Sequence, residues 1–499
     1  MNAPEHYQTL PEDRVPFSQR ISYGFGSLAN NLLGAAIGMM SIVLITGLNM
    51  NPAVVGLLMA LPRLTDALTD PLMGFISDHT RSRWGRRRPY IFVGAIAAGL
   101  LFAVLWQLPP GYSESFYFWY FLIGSILFYL AYTVFATPWV ALGYELTPDY
   151  HERTRLMGTS NFMGQIAWIA VPWFYAIMEN ETLFEDSVAG ARGLAIAIGV
   201  FVIAVGILPA LFCRERFEHI AEEGQKAAEN AGSFLDGLKK NVKEFVSGFL
   251  ITIKFKPFLQ LCGATFLVFN GYMLISAFTS YVIIYYIFGG DQDKGAEYIG
   301  WNGTAGAIAT FCVIYLVTWM STRIGKRKTF FFSTGVSIIG FGLKWFCYTP
   351  DQPLLILIPA VLTAFGLGGL FTLMGSMVAD VCDLDELNTG ERREGMFGSV
   401  YWWVVKLGMA VALALSGVLL NFTGFDASLN GNQSEQTLTL MRLFDAVIPM
   451  ITYAIAIWIV AHYSLTEEKA HQVREELERR RGKPGSQSAS VSQPELVAE

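Results

Sequence analysis

Residues 82–88 read Ser-Arg-Trp-Gly-Arg-Arg-Arg, and residues 322–328 read Thr-Arg-Ile-Gly-Lys-Arg-Lys. Glycine holds the same place in both stretches, and Lys or Arg fills most positions around it. A second echo links Glu145-Leu146 and Glu152-Arg153 with Glu386-Leu387 and Glu391-Arg392. Both echoes are offset by about 240 residues, or half of the apolar part of the chain. The chain therefore consists of two repeats.

Long apolar windows place both repeats in a membrane. The 499 residues are 53% hydrophobic and 15% charged, whereas soluble domains carry about 25% charged residues. A membrane-spanning helix needs about 20 apolar residues. Windows of that size predict twelve spans, at residues 20–46, 52–77, 89–108, 116–143, 156–178, 191–213, 257–288, 298–321, 329–348, 354–380, 396–421 and 441–464.

The distribution of Lys and Arg predicts how these spans are oriented. The two basic stretches follow spans two and eight, Arg153 and Arg155 follow span four, and Arg392 and Arg393 follow span ten. The alternate loops are acidic or neutral. Both termini are therefore predicted to be cytoplasmic, and the halves are parallel repeats of six spans. This is the all-α arrangement of major facilitator transporters, which hold substrate at mid-membrane between their halves.

Five segments follow from this division. Residues 1–19 form a polar cytoplasmic segment without a signal peptide, and residues 20–213 form the N-terminal six-helix bundle. Residues 214–256 form a cytoplasmic linker with an interfacial helix. Residues 257–464 form the C-terminal bundle. Residues 465–499 form a cytoplasmic tail that begins as a charged helix and is predicted to be disordered from residue 482.

Charged residues interrupt two of the apolar spans. Arg63, Asp66 and Asp70 share one face of span two, since their spacing is i, i+3, i+7. Lys406 lies at a similar depth on span eleven. Intramembrane charges are costly and usually mark ion or substrate pathways. Asp66 and Asp70, with one removable cation, predict an oxygen-rich site for Na⁺, Li⁺ or H⁺. The alternative is an ion pair that only locks helices together.

Several motifs carry a family resemblance. They are Asp66-Ala-Leu-Thr-Asp70-Pro-Leu-Met-Gly74, the stretch from Asp78 to Pro89, Asp380-Val-Cys-Asp383-Leu-Asp385-Glu386, residues 389–395 and Tyr23-Gly24-Phe25-Gly26. Together they resemble the glycoside–pentoside–hexuronide:cation symporters, such as melibiose permease, across all twelve spans. The resemblance implies cation-coupled sugar uptake. It implies a cation site at Asp66, Asp70 and Thr133, and it matches Lys406 to the family's span-eleven lysine.

The chain also departs from melibiose-type members at positions that hold their galactosyl unit. Asn30 and Asn31 stand in place of a Lys-Asp pair, Ala136 in place of an acid, and Asn161 in place of an arginine. Galactosides are therefore doubtful substrates. Arg63 and Lys406 remain, and either could meet the carboxylate of a uronide.

Polar and aromatic residues in the spans are candidates for substrate contact. The polar group comprises Asn30, Asn31, Asn161 and Gln165, and the aromatic group comprises Trp139, Tyr401, Trp402 and Trp403. Each asparagine has an alternative role in an interhelical hydrogen bond. Each tryptophan has an alternative packing role, which we favour for Trp173 and Trp301. Trp139 follows Pro138 in the span-four motif and is the preferred aromatic.

The basic loops predict a cytoplasmic gate, because charged side chains at helix ends can bridge helices in one access state. Arg83, Arg86 and Arg87 with their repeat partners supply the cations, and Glu145, Glu152, Asp380 and Asp385 are plausible partners. Arg153 and Arg392 belong to the same predicted gate. The alternative is that these charges only orient the chain.

The sequence thus predicts a secondary active transporter rather than an enzyme. Cation on Asp66 and Asp70 frees Lys406 or Arg63 for a sugar, glycoside or uronide, and the loaded carrier changes its access. The alternatives are a sodium-dependent lysophospholipid transporter and a non-transporting sensor. The coupling ion is Na⁺ or H⁺, with no other cofactor. The expected partners are this substrate and membrane lipids, without nucleic acid. The protein is expected to be a monomer in the plasma (inner) membrane.

Overall fold

A computed structural model describes residues 14–80, 82–109, 111–147, 150–215, 254–390 and 394–480. The predicted interfacial helix of the linker, the predicted disordered end of the tail, Arg392 and Arg393 lie outside these residues. Regular structure within the described part is helical throughout.

Twelve long helices follow one another in two sets of six. The first set comprises α1 Phe17–Met40, α2 Pro52–His79, α3 Arg88–Leu105, α4 Glu114–Glu145, α5 Tyr150–Ala170 and α6 Ser187–Gly206. The second set comprises α7 Lys256–Tyr281, α8 Gln292–Ile324, α9 Lys326–Cys347, α10 Leu357–Thr389, α11 Glu394–Phe422 and α12 Glu435–Ala461. The tail contains α13 Glu467–Arg480, where a charged helix was predicted.

Short segments lengthen several of these helices. Ile42–Thr46 continues α1, and Leu208–Phe212 continues α6. The 3₁₀ turn Val171–Trp173 and the helix Phe174–Met178 together form an extension of α5. A π-helical segment, Val282–Ile287, continues α7. The 3₁₀ turns Pro353–Ile356 and Ala427–Leu429 precede α10 and α12.

Ten of the described helical segments are long and apolar enough to cross a membrane. The prediction of twelve spans is therefore only partly confirmed. The remaining two predicted spans correspond to α2, of which Pro52–Thr65 is apolar, and to α5 with its extension. Both carry polar residues within the bundle, because Asp66 and Asp70 divide α2 while Asn161 and Gln165 interrupt α5.

The two repeated basic stretches form equivalent turns. Gly85 has φ +112°, and Gly325 has φ +83° between α8 and α9. Residues with a Cβ atom rarely adopt this backbone conformation, which explains why glycine holds the same place in both repeats. A Cβ atom on Gly85 would also lie 2.5 Å from Glu215 Oε1. We call the end of the bundle that carries these turns the basic end, and the other the opposite end.

The two halves meet along two helix pairs. Helix α2 packs along α11, and the extension of α5 packs on α8. The α2–α11 approach is very close, since a Cβ on Gly417 would lie 2.1 Å from the Pro52 carbonyl oxygen. Close backbone approach at small residues is the usual way in which helices associate in membranes. The same two helices carry Asp70 and Lys406.

The C-terminal half contains a buried ion pair that the sequence analysis missed. Lys344 Nζ on α9 lies 2.9 Å and 3.0 Å from the two carboxylate oxygens of Asp445 on α12, and it donates to Thr279 Oγ1 at 2.8 Å. Thr279 on α7 donates to Asp445 Oδ1 at 2.8 Å. The side chains of Lys344 and Asp445 are 7% and 1% exposed. These bonds join three helices of one half.

We expect Asp445→Asn to destabilise the protein strongly, because it leaves the Lys344 ammonium charged and without its buried counter-ion. Breaking a buried pair from one side typically costs about 3–5 kcal/mol. Thermal unfolding in detergent should show a marked fall in Tm. The exposed loop variant Asp351→Asn is the control, and the double variant Lys344→Met/Asp445→Leu should recover most of the loss. A wild-type Tm for Asp445→Asn would contradict the structural role of this pair.

Candidate functional site: a cross-half ion pair and its polar surroundings

Asp70 is the centre of a polar cluster between the two halves. Thr133 and Thr137 on α4 each donate a hydroxyl hydrogen bond to Asp70 Oδ1 at 3.2 Å. Lys406 on α11 binds Asp70 Oδ2. The pair thus joins α2 of one half to α11 of the other. Its side chains are 31% and 33% exposed, so solvent reaches the ion pair.

This arrangement has the composition of a cation site. A carboxylate and two hydroxyl oxygens converge, and hard cations such as Na⁺ prefer oxygen ligands. The Lys406 ammonium is bound to the same carboxylate, so a metal ion or proton bound there would compete with Lys406 for one negative charge. Thr133 was predicted from the family resemblance. Thr137 was not, although its position one turn after Thr133 places both on one face of α4.

Asp66 lies on α2 one turn before Asp70. Its side chain lies outside the described part of the chain, so its membership of the cation site stays a prediction.

Arg63 lies on α2 about two turns from Asp70 and points toward α1 and α4. Its guanidinium carbon lies 4.8 Å from the centre of the Tyr129 ring. One guanidinium nitrogen donates to the Gly34 carbonyl oxygen at 3.5 Å. A cation held over an aromatic face in this way keeps its charge near the middle of the bundle. The role of Arg63 toward an anionic substrate stays a prediction.

The two asparagines of α1 take part in hydrogen bonds between helices. Tyr132 on α4 donates to Asn30 Oδ1 at 2.8 Å. Trp168 on α5 donates its indole N–H to Asn31 Oδ1 at 3.1 Å, and the Asn31 amide donates to the Ser27 carbonyl oxygen at 2.9 Å. The bonds from Tyr132 and Trp168 are the interhelical bonds that were the alternative to substrate contact. They also hold both amides at the level of the site.

The preferred aromatic, Trp139, is packed into the core of the N-terminal half. It is 6% exposed, its ring stacks on Tyr23 with centroids 5.1 Å apart, and its indole N–H donates to the Tyr23 carbonyl oxygen at 3.1 Å. Phe135 covers it as well. Neither face is open to a sugar in this structure, and we leave Trp139 out of the site proposed below.

Other aromatic and polar residues are more accessible. Trp402 is exposed and lies parallel to Phe371 with centroids 6.3 Å apart. On α5, Asn161 is exposed and Gln165 is half-buried. Trp168 is exposed on the same face of α5 as these two, which the sequence analysis missed despite the helical spacing. Tyr401 is buried, and its hydroxyl lies 3.2 Å from Thr265 Oγ1.

The halves are joined at the opposite end by what we call the seam, the contact of the α5 extension with α8. Trp173 donates to Thr304 Oγ1 at 2.8 Å and meets Trp301 edge-on at 5.2 Å. This is the packing role that was favoured for the two tryptophans. Near the other helix pair, Asn421 donates to Asn51 Oδ1 at 2.6 Å. The halves are therefore in direct contact at the opposite end through both helix pairs.

The ion pairs described at the basic end each join residues of one half. Glu145 accepts from Arg86 and lies 2.8 Å from Arg87. Lys326 lies 2.6 Å from Asp380. Arg83 is exposed and Asp385 is buried. The side chain of Arg153 lies outside the described part, as does Arg392, and the gate stays a prediction.

The sequence analysis missed one carboxylate at the basic end. Glu215, just beyond the continuation of α6, accepts the backbone N–H groups of Arg86, Arg87 and Arg88 at 2.8–3.0 Å. It therefore caps the N-terminus of α3, where free amide groups need acceptors.

A family model described as MFS/sugar transport protein matches residues 22–467, nearly the whole described chain. The chain belongs to this family. The predicted resemblance to glycoside–pentoside–hexuronide:cation symporters is confirmed, and so is the prediction of a transporter rather than an enzyme.

Relatives in this transporter family align along almost their full length. A putative glycoside/cation symporter of Escherichia coli is 24% identical, with 95% of this chain and 97% of that protein covered. The isoprimeverose transporter of Lactiplantibacillus pentosus is 24% identical, with 91% and 90% covered. The sodium-dependent lysophosphatidylcholine symporter 1 of Gallus gallus is also 24% identical, with 96% and 92% covered.

Solved structures confirm the predicted fold class. The D-xylose–proton symporter superimposes with a TM-score of 0.59 at 12% identity, covering 91% of this chain and 99% of that one. At this identity the likeness concerns the fold alone. The fold of this transporter is therefore the major facilitator fold.

We expect Thr137→Val to weaken cation binding about tenfold, because it removes one oxygen ligand while preserving side-chain volume. A lost hydrogen bond to a charged group corresponds to about 1.5 kcal/mol. Calorimetric titration of the purified transporter with NaCl and LiCl measures the effect. Thr318→Val is the matched control, since that exposed hydroxyl bonds only the Ile314 carbonyl oxygen of its own helix. Unchanged affinity in Thr137→Val would remove this hydroxyl from the cation site.

Proposed function

We propose that this transporter couples the entry of a sugar, glycoside or uronide to a cation by alternating access. The ion pair between Asp70 and Lys406 is the observation that carries the proposal. It is placed between the halves, is accessible to solvent, and links the two bodies whose relative motion would change access.

Competition for the Asp70 carboxylate supplies the coupling. A cation bound by Asp66, Asp70, Thr133 and Thr137 displaces Lys406, because two positive charges on one carboxylate repel each other. The released ammonium then binds cargo, while the α2–α11 link through Lys406 is lost. When the cation leaves, the ion pair forms again. The empty carrier therefore returns with its charges paired.

The cargo side of the site is built from amides, aromatic rings and two cations. Asn30 and Asn31 supply hydrogen-bonding groups, Trp168 and Trp402 supply exposed rings, and Arg63 and Lys406 supply positive charge. Amide groups suit sugar hydroxyls, and paired cations suit a carboxylate. The glycoside and isoprimeverose specificities named for two relatives support this cargo class.

The distribution of basic residues supports a cytoplasmic basic end with both termini inside the cell. In this orientation the seam faces outward, and the structure is closed toward the outside. The transporter would reside in the plasma (inner) membrane.

A lysophospholipid is the second candidate cargo, and one feature favours it. A groove of about 490 Å³ lies between α8 and α10, and its lining is apolar. Such a groove fits an acyl chain better than a sugar. Its lining includes Ile308, Val313, Leu316, Val361 and Phe365. The relative from Gallus gallus is named for a lysophospholipid cargo.

Asp70→Asn and Asp66→Asn should each abolish cation-driven accumulation, because an amide holds a cation far more weakly than a carboxylate. Uptake into proteoliposomes under a Na⁺ or H⁺ gradient measures this, with Asp351→Asn as the control for an exposed acid. Normal uphill transport in both aspartate variants would refute the cation site.

Lys406→Ala should behave differently from the aspartate variants, since removing the competing ammonium maintains or raises cation affinity while transport falls.

Counterflow in proteoliposomes with neutral galactosides, other glycosides, uronides and lysophosphatidylcholine decides the cargo. We expect uronides or bulkier glycosides to exchange better than galactosides, because Asn31 and Ala136 supply no sugar-binding carboxylate. Tight and selective galactoside exchange would show that the cargo site is misplaced. Exchange of lysolipid alone would favour the second candidate.

A further inference from the structure

The seam at the opposite end contains a carboxylate that the proposed transport cycle does not use. Glu179 follows the α5 extension directly and lies one turn after Tyr175. Tyr175 is fully buried and donates its hydroxyl to Gln292 Oε1 of α8 at 3.3 Å. Glu179, which is half-buried, therefore lies next to a hydrogen bond that joins the two halves.

The immediate surroundings of Glu179 contain several polar groups and two further acids. From its own half, Tyr175, Ser187 and Asp186 face it, and from the other half Asp293 and Tyr285 lie within electrostatic range. Glu179 Oε1 and the Tyr285 hydroxyl are buried without a hydrogen-bond partner in the described part of the chain. The nearby Lys294 is bound 3.1 Å from Asp291.

This environment disfavours a negative charge on Glu179. Burial is the largest cause that raises the pKa of Glu179 to about 7, and the negative charges of Asp293 and Asp186 contribute in the same direction. The hydroxyls of Tyr175 and Ser187 act the other way. Opening the seam would hydrate Glu179 and separate it from Asp293. Both the desolvation and the repulsion would then decrease.

We infer that Glu179 is a proton-binding site of the seam, that its protonation favours the closed seam, and that its ionisation favours opening. The position carries the inference, because a carboxylate with a buried oxygen that lacks a hydrogen-bond partner in the described part of the chain lies one turn from Tyr175, whose hydroxyl bonds Gln292 of the other half. A proton on Glu179 removes the repulsion from Asp293 and makes the carboxyl group neutral, which lowers the cost of burying Oε1 without a partner. Closure toward the opposite end thus depends on pH through one residue.

The direction of the pH dependence follows from linkage. The closed state holds the proton more tightly than the open state, where the pKa of a hydrated glutamate is about 4.5. Closure is therefore favoured at low pH, and this contribution is lost as pH rises through about 7. One proton changes the ratio of closed to open seam by at most about tenfold per pH unit.

Distances between spin labels at Thr182→Cys and Asn432→Cys test this in nanodiscs without cargo. Both positions are exposed, one in each half at the opposite end. The background carries Cys312→Ser, because Cys312 is exposed while Cys213, Cys262, Cys347 and Cys382 are buried. We expect the short-distance population to decrease as pH rises from 5 to 9, with its midpoint between the pKa of about 4.5 in the open state and about 7 in the closed state.

Glu179→Gln should keep the seam closed at every pH, because it mimics the protonated acid. Glu181→Gln is the matched control, since this exposed neighbour should leave the pH dependence intact. Asp293→Asn should move the midpoint to lower pH, which tests the cross-half repulsion even if Glu179→Gln misfolds. A pH-independent wild type, or an unshifted midpoint in Asp293→Asn, would overturn the inference. Cargo transport is not measured, so failure here leaves the proposed symport untouched.

Discussion

The ion pair between Asp70 and Lys406 is the interaction on which the rest of the structure depends. It is the described contact that joins the charged middles of the two halves, through α2 and α11. An isolated charge at this depth would be costly. Each residue therefore requires the other, or a substitute of the same sign, in every state of the carrier. That requirement turns a local charge pair into a constraint on how the halves move.

A second ion pair shows why location decides the role of a charge. Lys344 and Asp445 have the same chemistry as Lys406 and Asp70, including a threonine hydroxyl on the carboxylate. However, they are almost fully buried and lie within one half. Because so little of this pair is exposed, a cation from solvent does not reach Asp445 to replace Lys344. The pair therefore holds α9 and α12 together. The accessible pair between the halves is the one at which we propose that a cation competes with the lysine.

The seam adds a different kind of control at the opposite end. Aromatic packing of Trp173 on Trp301 and the hydrogen bond from Tyr175 to Gln292 bring the halves together. Asp293 of the other half lies within electrostatic range of Glu179, and we infer that a proton on Glu179 relieves this repulsion when the seam is closed. In the proposed cycle, the mid-membrane charges and the seam both act on the relative motion of the two halves. They differ in the site and its cation, which are the coupling ion at Asp70 and a proton at Glu179.

The sequence by itself determined the membrane class, the two repeats, most spans and the central charges. Spans follow from apolar length, and Asp66, Asp70 and Lys406 stand out because hydrocarbon tolerates so few charges. Only the tertiary structure decided which helix faces meet. It buried Trp139 against Tyr23, added Thr137 to Asp70, paired Lys344 with Asp445 and placed Glu179 near Asp293. These residues are distant in the chain, and their roles depend on helix rotation and packing, which local hydropathy does not encode.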